Sequence, residues 1–370
     1  MRIGSLAQRA TLILAVVCTA SLVQAENVDT KRPLKVFILA GQSNMEGHGN
    51  VELTERAVEQ MKQNNTFERD KTNYLDYLAK QSDEKTRYRH LLDERGQWAQ
   101  RDDVWFIWPT AGRDAEEVKS RLTVGLGARG SLKIGPELQF GHIMGDHFSE
   151  PVLLIKTAWG GKSLAIDFRP PSAGMPPAEV LKERLARINE NNKRNNRDPL
   201  TMEQMKSTYG HYYRQMIAEV DETLENLKSK FPQYDESPGY EIAGFVWFQG
   251  WNDGGSLEYA AEYTENLVRL VHDVRGHYGR IPVVIGTSGF GKHAPSPHDG
   301  WVNRLREHVE PAQIAAAKKL DNCECFETGD CLIPHQDRTS NRGIHHWFNS
   351  AQTYFLIGEG LGNTMESLLE

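Results

Sequence analysis

A largely parallel β-sheet covered on both faces by helices is the fold this sequence predicts, and three observations predict it. The runs Val36-Phe37-Ile38-Leu39, Val152-Leu153-Leu154-Ile155 and Ile242-Ala243-Gly244-Phe245-Val246-Trp247-Phe248 are continuously apolar, the pattern of strands buried on both sides. Each run stops at a cluster of glycine and polar residues: Gly41-Gln42-Ser43-Asn44, Thr157-Ala158-Trp159-Gly160-Gly161-Lys162 and Gln249-Gly250-Trp251-Asn252-Asp253. Between them lie amphipathic segments, such as Tyr213, Met216, Ile217, Val220, Leu224 and Leu227 at near three-four spacing, which is the stripe of a helix packed on one side. Ligands of open α/β sheets bind beyond the carboxyl ends of the strands, so chemistry is expected at the polar clusters.

The chain in order fills in this outline. Arg2 and Arg9 precede the apolar stretch Thr11 to Val23, and Val23-Gln24-Ala25 has a small-x-small form, so residues 1–25 read as an export signal cleaved after Ala25. The apolar core spans about 13 residues, short of the roughly 20 that cross a bilayer. Val17 before Cys18 is the wrong size for a lipoprotein signal. The remainder, residues 26–370, is expected to be one exported domain, periplasmic or secreted, with helical insertions around 51–101 and 170–235 and no membrane span.

Val104-Trp105-Phe106-Ile107-Trp108 reads as an aromatic strand ended by Pro109, and Gly135-Pro136-Glu137 as the entry to a helix. Tyr259 to Tyr278 is a further helix, Ile281 to Gly286 a strand, and Tyr354 to Leu361 an apolar terminal helix. With 50 acidic against 43 basic residues, and two arginines leaving with the signal, the balance near −9 argues against nucleic acid or an anionic membrane surface as the main partner. Cys323, Cys325 and Cys331 lie close together; in an oxidising compartment Cys331 is expected to pair with Cys323 or Cys325. Zinc bound by the three with His335 is the lesser alternative.

Ser43, just past the stop at Gly41, is placed to project into the crevice as a nucleophile, or else to cap the following helix. The paired glycines at 160 and 161 let backbone N–H groups approach a ligand, and Gly161 and the Gln249 amide are candidate donors to a developing oxyanion. Ser288, in the loop after Gly286, is a rival nucleophile on chemistry alone. A serine needs a base, and Gly343-Ile344-His345-His346-Trp347 offers two imidazoles.

Gly-Gln-Ser-Asn-Met at 41–45, Trp-Gly-Gly-Lys-Ser-Leu at 159–164 and Gln-Gly at 249–250 resemble, in order, the signatures of SGNH-type esterases, in the branch of sialate O-acetylesterases and acetylxylan esterases. The resemblance implies a flavodoxin-like three-layer α/β/α sandwich with helical insertions, and an O-acetylesterase acting on acetylated carbohydrate without a cofactor. It also implies Ser43 as the acyl-accepting nucleophile, with its own amide, Gly161 and Gln249 as oxyanion hole. Alignment on the downstream Ala-x-Thr-Tyr-x-Leu-Ile-Gly pattern, here from Ala351, makes His346 the base, with His345 the alternative.

Two departures stand out. Trp251 occupies the place of a glutamate that follows Gln-Gly in many acetylxylan esterases, and Gly343 stands three residues before His346 where many relatives carry an aspartate. The orienting acid is therefore expected to be Asp253, with Asp337 or a backbone carbonyl as alternatives. Gln42, Asn44, Trp159, Lys162, Asn252 and His345 are expected to line the sugar site. The competing functions are a carbohydrate-binding protein that has lost turnover, a lipase or thioesterase with a long acyl channel, and a metal-dependent hydrolase using the Cys323 to His335 region.

Overall fold

The three predicted buried strands form the middle of one seven-stranded sheet in the computed structural model of this chain, which describes residues 32–111, 116–129, 132–290, 300–332 and 343–370. In chain order the strands are β1 (Leu34–Gly41), β2 (Gly49–Asn50), β3 (Arg101–Ala111), β4 (Glu116–Leu122), β5 (Lys133–Ile134), β6 (Val152–Ala158), β7 (Tyr240–Phe248), β8 (Val283–Gly286) and β9 (Cys323–Phe326). β2 and β5 form a separate small ribbon, and the others run in the order β4-β3-β6-β1-β7-β8-β9. Every neighbouring pair in the large sheet is parallel except β3 and β4. Without the β3 and β4 hairpin the order is that of a flavodoxin-like sheet, with the first strand between the second and third.

Helices Glu137–His147 and Ala351–Leu369 cover one face. Gly141 lies against Leu154 on β6, and Met365 lies against Gly244 on β7. Helices His211–Glu225, Tyr263–Tyr278 and Glu310–Lys318 cover the other, where Tyr263 reaches Trp247 and Tyr278 reaches Ile217. The fold is thus a flavodoxin-like three-layer α/β/α sandwich. Insertion helices Glu55–Gln63 and Leu75–Lys80 precede β3, and Ala178–Arg194 and Met202–Thr208 follow β6.

Register decides where the loops meet. Gly41 pairs with both Ala158 and Phe248, Phe248 with Gly286, and Gly286 with Phe326, so five parallel strands end on one row. The polar clusters therefore emerge side by side.

A buried ion pair anchors this edge from beneath. Lys156 on β6 is 0% exposed, and its ammonium donates to Glu137 Oε2 (2.8 Å), Glu46 O (2.9 Å) and Leu126 O (3.1 Å). It also lies 4.7 Å from the Trp108 ring centroid. Glu137 answers with its second oxygen to the Gly135 N–H at 2.8 Å, so the Gly-Pro-Glu element ties the turn after β1 to β6. Gly47, at φ +89°, passes so close to Gly135 that a Cβ would fall 2.1 Å from the Gly135 Cα; only glycine fits.

Two expectations are corrected. Pro109 does not end β3, which continues to Ala111, because the proline sits in a register irregularity between Trp108 and Ala111 where no ladder hydrogen bond is demanded of it. The disulfide is absent: Cys323, Cys325 and Cys331 are free thiols. Cys323 and Cys325 on β9 face Arg275 and Tyr263, whereas Cys331, in the turn Thr328–Cys331, neighbours Arg87 and Glu359 on the opposite side of the sheet. Burial pushes all three thiols up to about 12. The leader, Cys18, His335 and Asp337 lie outside the described residues.

Replacing Lys156 with Met strands the Glu137 carboxylate in the interior. The expected loss is about 3–5 kcal/mol, read as a lower urea midpoint at unchanged m-value.

Candidate active site

Ser43 opens the one-turn helix Ser43–Glu46 directly after β1 and is 8% exposed. Its hydroxyl has no hydrogen bond among the described residues, and a Cβ on Gly160 would lie 3.6 Å from the Ser43 Cβ. The glycine after β6 thus gives the serine an open side. Ser288, the rival, is buried with its N–H (2.9 Å) and its hydroxyl (3.4 Å) on Gln313 Oε1, so its hydroxyl is spent inside the protein.

The loops after β1, β6 and β7 are locked together by amides. Gln42 Oε1 accepts from Gln249 Nε2 (3.1 Å), Gly250 N (3.3 Å) and Asn252 N (3.3 Å), and Gln42 Nε2 donates to Asn252 Oδ1 (3.2 Å). Gln249 Nε2 donates further to Lys162 O (2.9 Å) and Asp253 Oδ2 (2.7 Å), while its carbonyl accepts from the Tyr263 hydroxyl at 2.9 Å. Gln249 is consequently not free to face an oxyanion, and Gln42, 1% exposed, is closed to a sugar. Both expectations are corrected by the same network. Asn252 differs: its oxygen is held by Gln42, its Nδ2 has no partner among the described residues, and it is partly exposed.

Asp253 is 0% exposed and accepts from Leu164 N (2.9 Å), Ala165 N (2.9 Å) and Gln249. Burial pushes its carboxyl up to about 7, against three donors that favour the charged form. No hydrogen bond joins it to an imidazole among the described residues. Asp253 is therefore a brace between two loops, accepting from main chain and amide and from no imidazole among the described residues.

The C-terminal histidines are brought to the serine's turn by the final helix. The Tyr354 hydroxyl donates to Asn44 Oδ1 at 2.9 Å, and a Cβ on Gly49 would lie 3.1 Å from the Ala351 Cα. Asn44 is thus buried as a tether rather than open to a sugar. His346 stacks on His48, with ring centroids 3.6 Å apart and planes 5° from parallel. Its own pKa is pushed down to about 3, by burial first and then by His48, His345 and Lys133. His345 is exposed, 4.2 Å from the His346 ring and 5.8 Å from Trp251, and burial with His48 lowers it too.

Trp347, Phe348 and Asn349 follow at φ +51°, +56° and +57°, a left-handed run that non-glycine residues rarely adopt. Trp347 anchors it, fully buried and 4.3 Å from Phe290, in space left by Gly289, where a Cβ would come within 2.7 Å of the indole.

Trp251, standing in the glutamate's place, stacks near Trp301 (5.9 Å) and meets Phe290 edge-on (4.9 Å). Trp159 is buried, its indole N–H on Thr110 Oγ1 at 3.1 Å and its ring against Tyr212 and Phe168, so it belongs to the core. The Lys162 ammonium lies 4.2 Å from the Tyr212 ring centroid and 3.8 Å from Asp167. Gly161 is exposed, and its N–H has no acceptor among the described residues, whereas the Gly160 N–H is held by Glu46 Oε1 at 2.8 Å. Glu46 and His48 escaped the sequence reading. The signal was available: both lie within five residues of Ser43, just past the Met45 that closes the motif.

A family model described as carbohydrate esterase, sialic acid-specific acetylesterase matches residues 33–354. The chain belongs to this family. Similar solved structures include an Arabidopsis thaliana protein, 16% identical over 90% of this chain and 98% of that one with a TM-score of 0.47. A carbohydrate acetylesterase from Xanthomonas citri is 13% identical over 89% of this chain and 55% of its own, TM-score 0.46. One from Sinorhizobium meliloti is 16% identical over 65% and 90%, TM-score 0.32. Among curated proteins none matches.

Asp253→Ala leaves the Leu164 and Ala165 N–H groups without their acceptor. Its unfolding free energy is expected to fall by roughly 3 kcal/mol, measured by urea titration.

Proposed function

We propose that this protein is an exported, serine-dependent O-acetylesterase of acetylated carbohydrates, working as a single domain without metal or organic cofactor. Ser43 Oγ attacks the acetyl carbonyl carbon and passes its proton to His346. The ester C–O bond breaks, the proton goes to the departing sugar oxygen, and an acetyl-serine remains. Water then attacks that ester, again giving its proton to His346, which returns it to Ser43 as acetate leaves.

The observation that carries this reading is the face-to-face contact of His346 with His48, because it puts a base from the far end of the chain against the turn that bears the serine. The oxyanion is met by the Gly161 N–H, the Ser43 N–H and Asn252 Nδ2. These groups lack acceptors among the described residues, and the Gln42 to Asn252 bond aims the last of them. Preorganised donors of this kind act without reorganising in the transition state. The exposed His345 and the half-buried Trp251 beside the base are the surface offered to the sugar, in place of Gln42, Asn44 and Trp159. Export is supported by the leader-like N-terminus. No helix among the described residues is long and apolar enough to cross a membrane.

Ser43→Ala and His346→Ala are each expected to abolish turnover of acetylated xylan and acetylated sialic acid, and full activity in either variant overturns the mechanism. Asn252→Ala is expected to lower kcat about 100- to 1000-fold with little change in KM. Preference for acetate over octanoate esters separates the proposal from a lipase.

The base must be neutral to accept a proton, and His346 is held well below the ordinary 6.5. Its working form therefore persists as pH falls. The acidic limb of kcat/KM is expected well under pH 6; a limb at 6.5 or above contradicts a buried base.

A further inference from the structure

His48 carries a buried anomaly. Its Nε2 is enclosed without a hydrogen bond, 3.7 Å from Glu46 Oε2, while one face of the ring is covered by His346. An enclosed ring nitrogen with no partner is unfavourable unless something else is gained.

We propose that His48 is a positioning residue for the base: its ring is the wall that fixes the plane of the His346 imidazole. The inference rests on His346 being the base. Two features beyond the stack support it. Glu46 is itself fixed, with Oε1 on the Gly160 N–H, its carbonyl on the Lys156 ammonium, and Gly47 wedged against Gly135, so the wall is rigid. The His48 backbone lies beside the Tyr354 hydroxyl, which bonds Asn44 next to the serine. Serine, wall and terminal helix are thus one unit.

The charged and titratable groups around the pair are few. Glu46 faces His48. His345 and Lys133 face His346, and the Lys133 ammonium is bonded to Asn50 on β2. Burial first, and then His48, His345 and Lys133, hold the His346 imidazole towards its neutral form.

Three variants and one spectrum test this. His48→Phe keeps a flat ring and removes one of the neighbours that hold the His346 imidazole down, so the acidic limb of kcat/KM is expected to move up by about one pH unit. His48→Ala removes the wall as well, and kcat is expected to fall about tenfold below His48→Phe at its own optimum, with KM little changed. Side-chain NMR of the wild type with labelled histidine is expected to show the His346 ring nuclei shifted by the ring current of the stacked His48; this reads the stack even if a variant folds poorly. If both variants superimpose on the wild-type profile, or the ring-current shift is absent, the inference falls. His346→Ala keeps the readings apart. Activity in that variant removes the base assignment itself, whereas an inactive His346→Ala beside unaltered His48 variants removes only the role of His48.

Discussion

The Asp253 carboxylate, sealed from water and met by two main-chain N–H groups and one amide, is the constraint on which the catalytic edge depends. A carboxylate in an apolar interior is unfavourable by several kcal/mol unless its lone pairs are satisfied. Here Leu164 and Ala165 satisfy it from one loop and Gln249 from another. Gln249 then reaches Gln42, so the segment that delivers Ser43 is held by the same chain of bonds. Networks of this kind stiffen their surroundings because no member can leave without orphaning its neighbours. The stiffness is what an oxyanion site requires, since donors that must rearrange during reaction lose much of their value.

The opposite side of the serine's turn is governed by a different charge. Lys156 holds the carbonyl of Glu46 while Glu137 neutralises it, and the final helix closes over the same turn through Tyr354 and Asn44. The histidine turn that precedes this helix is built otherwise, from three successive left-handed residues pinned by one buried indole. Such conformations persist only where surrounding packing over-determines them. The edge thus joins an amide-braced serine turn to a packed, strained histidine turn, and the meeting of His346 with His48 is their junction.

Much of this was legible in the sequence because the chemistry that buries a parallel strand also marks its end. Continuous apolar runs located β1, β6 and β7, and the polar clusters beyond them are indeed on one row. The position of the histidine pair ahead of the terminal helix was legible too. What sequence did not reveal was direction. A glutamine after a strand reads equally as an oxyanion donor or as a brace, and only the partners of its amide decide; Gln249 faces inward because Lys162 O, Asp253 and Gln42 all claim its N–H groups. Asp253 was mistaken for the same reason. His48 was missed because stacking across the turn leaves no periodic trace, and the disulfide was wrongly inferred because closeness along the chain says nothing of which face of a sheet each thiol meets.

Those thiols have a consequence of their own. Cys323 on the outermost parallel strand and Cys331 in the turn that follows it are reduced and buried, on opposite sides of the sheet. A reagent that captures exposed sulfur can reach them only when this margin of the sheet breathes, so the pace of labelling becomes a clock for local opening. The molecule carries an intrinsic gauge of how firmly its last strand is fastened, without any probe being introduced.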